Sequence, residues 1–308
     1  MILALAGGVG GAKLASGLAH HLGGDQLSIV VNTGDDFVLQ GLSISPDLDT
    51  VIYTLAGLND QERGWGVAGE TWQFLSALER LGEEAWFKLG DQDLATHVMR
   101  SYWLSKGLSL SEVTTRICSA LGVAHQVFPM SDDPIRTFLD TDIGQLDFQT
   151  YFVRKRCQPR VLRVRYVGAS DAKPSDAFTR ALHQTSLSAI IICPSNPILS
   201  VAPILAVPGV RSLLRSTQAP VIAVSPTIEG KAVKGPADKL FRELGREPSV
   251  SGIAEYYGDF LDGLVIDTRD KERAEMLSQR TLITNTLMRT NQDKAKLASD
   301  VLEFANSL

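Results

Sequence analysis

The sequence lacks three features that would mark a special class of protein. It has only 3 cysteines, none in a Cys-x-x-Cys pair, and its 5 histidines show no zinc-ligand spacing, so neither a disulfide framework nor a structural zinc site is indicated. Its formal net charge is -5 without any basic run, which argues against a nucleic-acid groove. The start has no signal-peptide pattern, and the longest apolar run, Leu187–Cys193, is too short for a membrane span. We therefore expect a cytoplasmic protein with no membrane or nucleic-acid partner.

What the sequence does contain is an alternation of short apolar runs and amphipathic stretches, which is typical of a parallel α/β sheet. The first run is followed by a predicted helix at Ala12–Leu22. We expect a Rossmann-like, doubly wound and mainly parallel sheet. Uniformly apolar runs predict strands that are covered on both faces, and they lie at Ile2–Ala6, Leu27–Asn32, Leu187–Cys193, Pro220–Val224 and Gly263–Asp267.

The stretch between the second strand and about residue 125 has helical periodicity instead. Phe74, Leu78 and Leu81 recur at i, i+4 and i+7, and Leu110–Leu121 is a second helix-length segment. The sequence has no linker or repeat, so it predicts a single domain over residues 1–308 with a helical insertion at roughly 54–125. Loose alternation predicts a few extra strands between about 145 and 168. A last helix is predicted, with one apolar face formed by Leu297, Val301, Phe304 and Leu308.

A glycine-rich segment follows the first strand. Glycines let a phosphate approach the backbone, and the helix that starts here offers free N–H groups and a positive dipole end. The segment is neither a Walker A loop nor a regular Gly-x-Gly-x-x-Gly fingerprint. It predicts a phosphate site. The alternative for the glycines is a tight turn needed for packing, and the alternative for the last residue, Lys13, is a lysine on the helix surface. Its residues are Gly7, Gly8, Val9, Gly10, Gly11, Ala12 and Lys13.

Acidic residues cluster after the second strand. In a doubly wound sheet this loop, Asn32-Thr33-Gly34-Asp35-Asp36, faces the glycine-rich segment. Carboxylates there can hold Mg²⁺ together with phosphate oxygens, although Asp-Asp is also a common turn and cap sequence. Pro46 and Asp47 look like a helix start, and Asp49 adds a carboxylate that such a cap does not need. The cluster therefore favours a metal site formed by Asp35 or Asp36 with Asp49.

Two further loops contain residues suited to chemistry. Lys88–Asp93 precedes a predicted helix that carries His97. Asp93 has the position of a helix cap, and His97 has the pattern of a packed or surface residue. Ser195 and Asn196 follow a strand and lie between two prolines, so they suit contacts to a base or a phosphate. No Ser-His-Asp or Cys-His arrangement indicates covalent catalysis.

In order along the chain, these segments resemble the 2-phospho-L-lactate transferase family of deazaflavin coenzyme (F-420) biosynthesis. The likeness covers nearly the whole sequence and includes Ile44–Thr50, Arg63–Gly66, Pro129–Pro134 and Ala254–Tyr257 besides the segments above. The resemblance implies a Mg²⁺-dependent transferase that forms a homodimer or higher homo-oligomer. It implies Fo (7,8-didemethyl-8-hydroxy-5-deazariboflavin) as the acceptor. The implied donor is a guanosine diphosphate ester of lactate, enolpyruvate or glycerate.

The resemblance also implies roles for individual residues. Asp49 is the expected acceptor of the hydroxyl proton, with Asp35 and Asp36 as further catalytic candidates. The implied contacts are Asp49 and Lys88 on the acceptor, Asp35 or Asp36 together with Asp49 on the metal, and the glycine-rich segment with Asn32, Thr33, Ser195 and Asn196 on the nucleotide side of the cleft.

One position departs from the family pattern, and one other family is an alternative. Gln92 stands where the family pattern has arginine, which bears on donor choice or phosphate contacts. The alternative is a related set of proteins that bind uridine diphosphate sugars and regulate metabolism without known catalysis. Those regulators resemble a Gly-Gly-Ser-Ser-Gly continuation after the acidic pair, whereas this chain continues from Phe37 to Ser45-Pro46-Asp47-Leu48-Asp49.

Overall fold

The computed structural model describes residues 1–308 and contains a central sheet with helices on both faces. Apolar, β-branched runs form its inner strands, because helices cover both faces of these strands. The strands are β1 (Ile2–Ala6), β2 (Leu27–Val31), β3 (Phe37–Leu39), β4 (Leu42–Ile44), β5 (Gln126–Pro129), β6 (Arg136–Thr141), β7 (Gly144–Asp147), β8 (Val161–Val167), β9 (Ala189–Ile192), β10 (Val221–Val224), β11 (Thr227–Ile228), β12 (Lys231–Ala232), β13 (Gly263–Asp267) and β14 (Arg280–Thr284).

Several helices begin at residues that cap their first turn. Ser109 and Thr290 each accept a hydrogen bond from the amide three residues on, in a capping box, which stabilises a helix start by about 1 kcal/mol. The helices are α1 (Gly8–His21), α2 (Pro46–Leu55), α3 (Gln73–Arg80), α4 (Asp91–Ser105), α5 (Leu110–Ala120), α6 (Asp176–Leu182), α7 (Ala202–Ala206), α8 (Val210–Ser216), α9 (Ala237–Glu243), α10 (Val250–Tyr257) and α11 (Asn291–Asn306), with short helical turns at Thr150–Arg154, Pro197–Val201, Gly258–Phe260 and Thr268–Met276.

All neighbouring strands of the central sheet are parallel, in the order β14-β13-β10-β9-β1-β2-β5. The chain builds outward from β1 through β2 to β5 and then returns to the other side of β1 at β9. The strand order therefore reverses between β1 and β9, and the crevice at such a reversal is where sheets of this class bind ligands. The doubly wound α/β fold is confirmed. The extra strands form two hairpins, β3-β4 and β11-β12, and a three-stranded sheet, β7-β6-β8.

Two apolar cores lie on opposite faces of the central sheet, because successive side chains of a strand point in opposite directions. Leu3 and Leu5 of β1 belong to a core of 36 buried residues that includes side chains of α8, α9 and α10. Ile2 belongs to a core of 31 that includes α1, α2 and α11. None of the helices has by itself the length and apolar composition of a membrane span, and Pro197–Ala206 with Val210–Ser216 reach them only together, as a pair bent by 88°.

The predicted strands lie within two residues of the observed ones, but the first helix begins earlier than predicted. It starts at Gly8 rather than Ala12, since the glycine-rich segment itself forms the first helical turn, with Gly7 as the N-cap residue. The edge strands β5 and β14 have no clear signal in the sequence, because they are short and β14 is mostly half-buried or exposed. Between 145 and 168, β7 and β8 flank a helical turn at Thr150–Arg154.

Residues between α2 and β5 form α3, α4 and α5 and contribute no strand to the central sheet. The prediction of which residues form the apolar face of α3 is partly wrong. Leu75 is its buried side chain, whereas Leu81 lies beyond the end of the helix and is 83% exposed. Leu308 likewise lies beyond α11 and is exposed. Both errors come from extending a periodic pattern past a helix end.

Candidate active site

A cleft of about 580 Å³ opens at the carboxyl ends of the parallel strands. The loops after β1 and β9 both line it, so it lies where the strand order reverses. Its volume is within the range of ~300–1,000 Å³ that is usual for ligand pockets. Of the predicted site residues, the cleft is lined by Gly7, Gly8, Val9, Gly10, Lys13, Asp35, Asp49, Lys88, Ser195 and Asn196, and not by Gly11, Asn32, Thr33 or Asp36.

The glycine-rich segment is enclosed by neighbouring groups. The Gly7 amide donates to Ser195 Oγ at 3.0 Å. A Cβ atom on Gly7 would lie 2.6 Å from Asp47 Oδ2, and one on Gly10 would lie 2.2 Å from the Pro194 carbonyl oxygen. Packing therefore requires glycine at these positions. A ligand role is compatible with that packing. The Gly8 amide donates to Asp47, but α1 has neither a side-chain cap nor an acidic residue in its first turn, so the remaining amides of that turn favour an anion in the cleft.

Ser195 and Asn196 connect β9 to the helical segment that follows it. Ser195 is buried and accepts from the glycine-rich segment, as described above. Asn196 caps the next helical turn, because its Oδ1 accepts from the amides of Ile198 and Leu199, both at 3.0 Å. Its Nδ2 atom is buried and has no protein partner. That N–H group is available to a ligand in the cleft.

Asp35 and Asp47 form a buried pair of carboxylates on the cleft wall. Both accept from Nδ2 of Asn32, at 3.1 and 2.9 Å, and the Gly34 amide fixes the orientation of that side chain by donating to its Oδ1 at 2.8 Å. Burial raises the pKa of Asp35 well above its usual range, and the charge of Asp47 raises it further. Burial also raises the pKa of Asp47 to about 6, despite the hydrogen bond from Asn32. Neither carboxylate takes part in an ion pair.

Asp36 faces away from the cleft, into a smaller cavity of about 120 Å³ that Thr33 also lines. Its Oδ2 accepts from Ser45 Oγ at 2.8 Å, and its buried Oδ1 has no partner. Burial raises the pKa of Asp36 to about 7, although the charge of Arg136 opposes the increase. Of the two adjacent acids, only Asp35 therefore reaches the cleft.

Asp49 lines the cleft but is already paired with Arg100. The guanidinium donates to both carboxylate oxygens, from Nη1 to Oδ2 at 3.0 Å and from Nη2 to Oδ1. Nη1 also lies 3.1 Å from His97 Nδ1. Because a guanidinium only donates, Nδ1 is the acceptor in this contact. The other ring nitrogen of His97 is Nε2. That Nε2 lies 3.2 Å from Asp93 Oδ1, which also accepts from the Tyr53 hydroxyl at 2.8 Å.

Two pairs of aromatic rings line the cleft, Trp86 with Phe87 directly before Lys88 in the chain and Phe148 with Phe152, and together they are called the aromatic wall. The rings of Trp86 and Phe87 meet edge to face at 5.7 Å, and those of Phe148 and Phe152 stack at 5.3 Å. Large rings beside an exposed ammonium group suit a planar heterocycle with polar edges. Sequence reasoning does not find this wall. The only signal for it is the Trp-Phe pair directly before the predicted lysine.

Of two further residues that the sequence analysis names, Lys13 lines the cleft and Gln92 does not. Lys13 reaches the cleft from α1. Gln92 is exposed at the start of α4, where its backbone amide donates to Glu70 Oε2 at 2.8 Å, and the residue does not line the cleft. Asp93 does not cap this helix, whose N-cap residue is Gly90.

Two sets of side chains in the cleft differ in how well they fit a divalent cation. Asp49, Asp93 and His97 offer ligand atoms within 4.8 Å of one another, but a guanidinium already neutralises Asp49. Asp35 and Asp47 fit better, because Mg²⁺ prefers carboxylate oxygens and a cation would relieve the repulsion between two buried acids. The Mg²⁺ site itself stays a prediction.

One known protein family matches nearly the whole chain. The family model described as 2-phospho-L-lactate transferase CofD matches residues 2–305. A 2-phospho-L-lactate transferase of Methanocaldococcus jannaschii is 40% identical over 100% of this chain and 99% of its own length. A phosphoenolpyruvate transferase of Kitasatospora aureofaciens is 41% identical over 88% of this chain and 86% of its own length.

A crystal structure of a member of the UPF0052 family from Bacillus halodurans has the same fold. It superposes with a TM-score of 0.65 over 98% of both chains, at 17% identity. This likeness supports the fold alone. The family match and the relatives, which extend over nearly the whole chain, show that this protein belongs to the 2-phospho-L-lactate transferase CofD family.

Proposed function

We propose that this protein transfers a phosphorylated three-carbon acid from its guanosine diphosphate ester to the ribityl hydroxyl of Fo, with release of GMP, in coenzyme F-420 biosynthesis. Relatives named 2-phospho-L-lactate transferase and phosphoenolpyruvate transferase support a transfer of this type. The acid is 2-phospholactate, phosphoenolpyruvate or 3-phosphoglycerate. The observation that carries the assignment is one cleft that combines the aromatic wall, a buried carboxylate pair and a helix N-terminus.

The two substrates would enter the cleft at different walls. The deazaflavin ring system of Fo would pack on the aromatic wall, where stacking on large rings is favourable, and Lys88 would contact its polar edge. The diphosphate of the donor would lie at the start of α1, where free amides and the helix dipole stabilise an anion. Asn196 offers its unpartnered Nδ2 on the same side.

The reaction would be a single displacement at phosphorus. The ribityl oxygen of Fo forms a bond to the phosphorus that carries the three-carbon acid, and the bond from that phosphorus to the bridging oxygen breaks. GMP leaves with the bridging oxygen and its electron pair. Such transfers depend mainly on positioning and charge stabilisation, which the amides at the start of α1 supply to the leaving oxygen.

Asp49 would orient the attacking hydroxyl group. Because Arg100 holds both carboxylate oxygens, Asp49 is fixed in one geometry and its negative charge is partly neutralised. A carboxylate in that state is suited to accept a hydrogen bond from the hydroxyl and to take its proton late in the reaction.

Asp35 and Asp47 would hold Mg²⁺, which when bound would neutralise charge on the diphosphate. Burial raises the pKa of both carboxylates, and the charge of Asp47 raises that of Asp35 further. Asp35→Asn is therefore expected to lose most turnover and to raise the Mg²⁺ concentration needed for half-maximal rate. Asp36 is the next residue of the same loop but faces the smaller cavity. Asp36→Asn is therefore expected to reduce turnover less and to raise the required Mg²⁺ concentration less than Asp35→Asn.

The test is a reaction of the purified protein with Fo, Mg²⁺ and each of the three guanosine diphosphate esters, analysed by mass spectrometry. A phosphate-linked deazaflavin and one GMP per product are expected with one ester. No product with any ester would refute the proposal, and tight binding of a uridine diphosphate sugar in its place would favour the regulatory family.

A further inference from the structure

Two lysines line the cleft and take no part in the steps described above, although Lys13 ends the glycine-rich segment for which the sequence predicts a phosphate site. Lys13 reaches the cleft from α1 and its Nζ donates to the Met288 carbonyl oxygen at 2.8 Å. Lys234 follows β12, and its Nζ donates to the Arg63 carbonyl oxygen at 2.9 Å. An ammonium group has three N–H donors, so each lysine has donors left over. The ion pairs that lysines form in this chain involve Lys239 and Lys296 instead.

The two ammonium groups lie on one side of the cleft. Val9 and Lys13 are four residues apart on α1 and therefore share a face of that helix. A Cβ atom on Gly64 would lie 3.1 Å from Val9 Cγ1 and 2.8 Å from Lys234 Nζ. The segment around Gly64 thus brings the lysine of the β11-β12 hairpin up to the face of α1 that carries Lys13.

This arrangement is unfavourable without a counter-ion. Burial lowers the pKa of Lys13, although the charge of Asp293 opposes the decrease. Desolvation also lowers the pKa of Lys234, and the positive charge of Lys13 lowers it further. The hydrogen-bond partners of both ammonium groups are backbone carbonyls. An anion bound between two like charges that are partly desolvated would stabilise them.

We propose that Lys13 and Lys234 form a subsite for an oxyanion of the donor ester. The ligand is a phosphate or carboxylate oxygen, which accepts a hydrogen bond from each ammonium group. Two parts of the donor have this chemistry, namely the second phosphate of the guanosine diphosphate unit and the carboxylate of the three-carbon acid. The subsite rests on the proposed function, since it assigns a part of the same substrate to two residues of the same cleft.

Binding experiments on the full chain with three probes test this subsite. The probes are GMP, GDP and the guanosine diphosphate ester that supports turnover, and the variants are Lys13→Met and Lys234→Met. Lys231→Met is the matched control, because Lys231 is an exposed lysine of the same hairpin that does not line the cleft. Loss of a charge-assisted hydrogen bond is expected to weaken binding about tenfold or more.

The pattern of losses identifies the oxyanion. If it is the second phosphate, both variants bind GDP and the ester about tenfold more weakly, while GMP binding changes less than about twofold. If it is the carboxylate, only ester binding weakens. Either pattern, with Lys231→Met unchanged, supports the subsite.

Two results would overturn the inference. If the wild-type protein binds these ligands and both variants retain its affinities for all three, the inference alone fails. If the wild-type protein binds neither GDP nor any ester, the proposed function fails and the subsite fails with it. Lys234 is exposed, so Lys234→Met is expected to fold, and its unfolding midpoint checks this directly.

Discussion

Replacing Arg100 by methionine tests whether a buried ion pair holds the Asp49 carboxylate. Arg100 is 1% exposed and Asp49 is 5% exposed, so the guanidinium holds the carboxylate where little water reaches it. Methionine is of similar length and carries no charge, so the variant leaves a buried carboxylate without its partner. Removing one member of such a pair typically costs about 3–5 kcal/mol. We expect the free energy of unfolding to fall by that amount.

Urea unfolding at pH 7, followed by tryptophan fluorescence and far-ultraviolet circular dichroism, measures the loss. Arg100→Lys keeps the charge but loses the two-pronged contact, so an intermediate loss is expected. The double variant Asp49→Asn, Arg100→Met removes both charges. It should be more stable than the sum of the two single losses predicts, by about 2 kcal/mol or more.

Two results would refute the ion-pair reasoning. One is a loss below about 1 kcal/mol for Arg100→Met, which is the size expected for an exposed pair. The other is strict additivity of the two single losses, which would mean that Asp49 and Arg100 are stabilised independently of each other.

Three further predictions concern other parts of the structure. Gly10→Ala should destabilise the protein by about 1–3 kcal/mol, because its Cβ would overlap a backbone oxygen, while Gly23→Ala, which meets only the ends of flexible side chains, should change the unfolding free energy much less. Burial alone would raise the pKa of Asp267, but hydrogen bonds from Arg269 and a neighbouring amide lower it to about 2. This carboxylate therefore stabilises the fold above its unfolded pKa near ~4, and the contribution disappears as the pH falls towards 2. Asp267→Asn should cost about 2 kcal/mol at pH 7, with a difference from wild type that shrinks below about pH 4 in acid titrations of stability. Trp86→Ala should raise the KM for Fo about tenfold while leaving the KM for the donor unchanged, and equal changes in both would contradict an aromatic wall for the deazaflavin.

The inner strands could be predicted from the sequence because their physical requirement is local. A strand that is covered on both faces needs an apolar run, and Ile2–Ala6 is such a run over its whole length, while Gly263–Asp267 is one up to its last residue. The edge strand Arg280–Thr284 is paired on one side and mostly half-buried or exposed, so its sequence meets no such requirement. Its strand conformation follows from its neighbour β13, which the local sequence does not reveal.

The candidate site likewise has residues whose position the sequence predicts and residues whose position it does not. Asp35 and Ser195 lie directly after strands, and the rule that strand ends meet at one edge of a parallel sheet predicts their position. The partners of these residues come from elsewhere. Asp47 reaches Asn32 from the start of α2, and Arg100 reaches α2 from α4. Such contacts depend on how helices pack across the sheet. That the chain forms a homo-oligomer also stays a prediction.

Asn32 has a consequence for the choice of ion. Its single amide nitrogen carries one hydrogen for each of the two carboxylates, and its oxygen is anchored to the Gly34 backbone. The separation of the two carboxylates is therefore constrained by two hydrogen bonds to one nitrogen atom. A frame of fixed width discriminates by ionic radius, because a larger ion such as Ca²⁺ needs longer bonds and more ligands than a small one. The prediction rests on the Mg²⁺ site proposed at Asp35 and Asp47: Asn32→Ala is expected to lower the ratio of Mg²⁺ affinity to Ca²⁺ affinity relative to the wild-type protein.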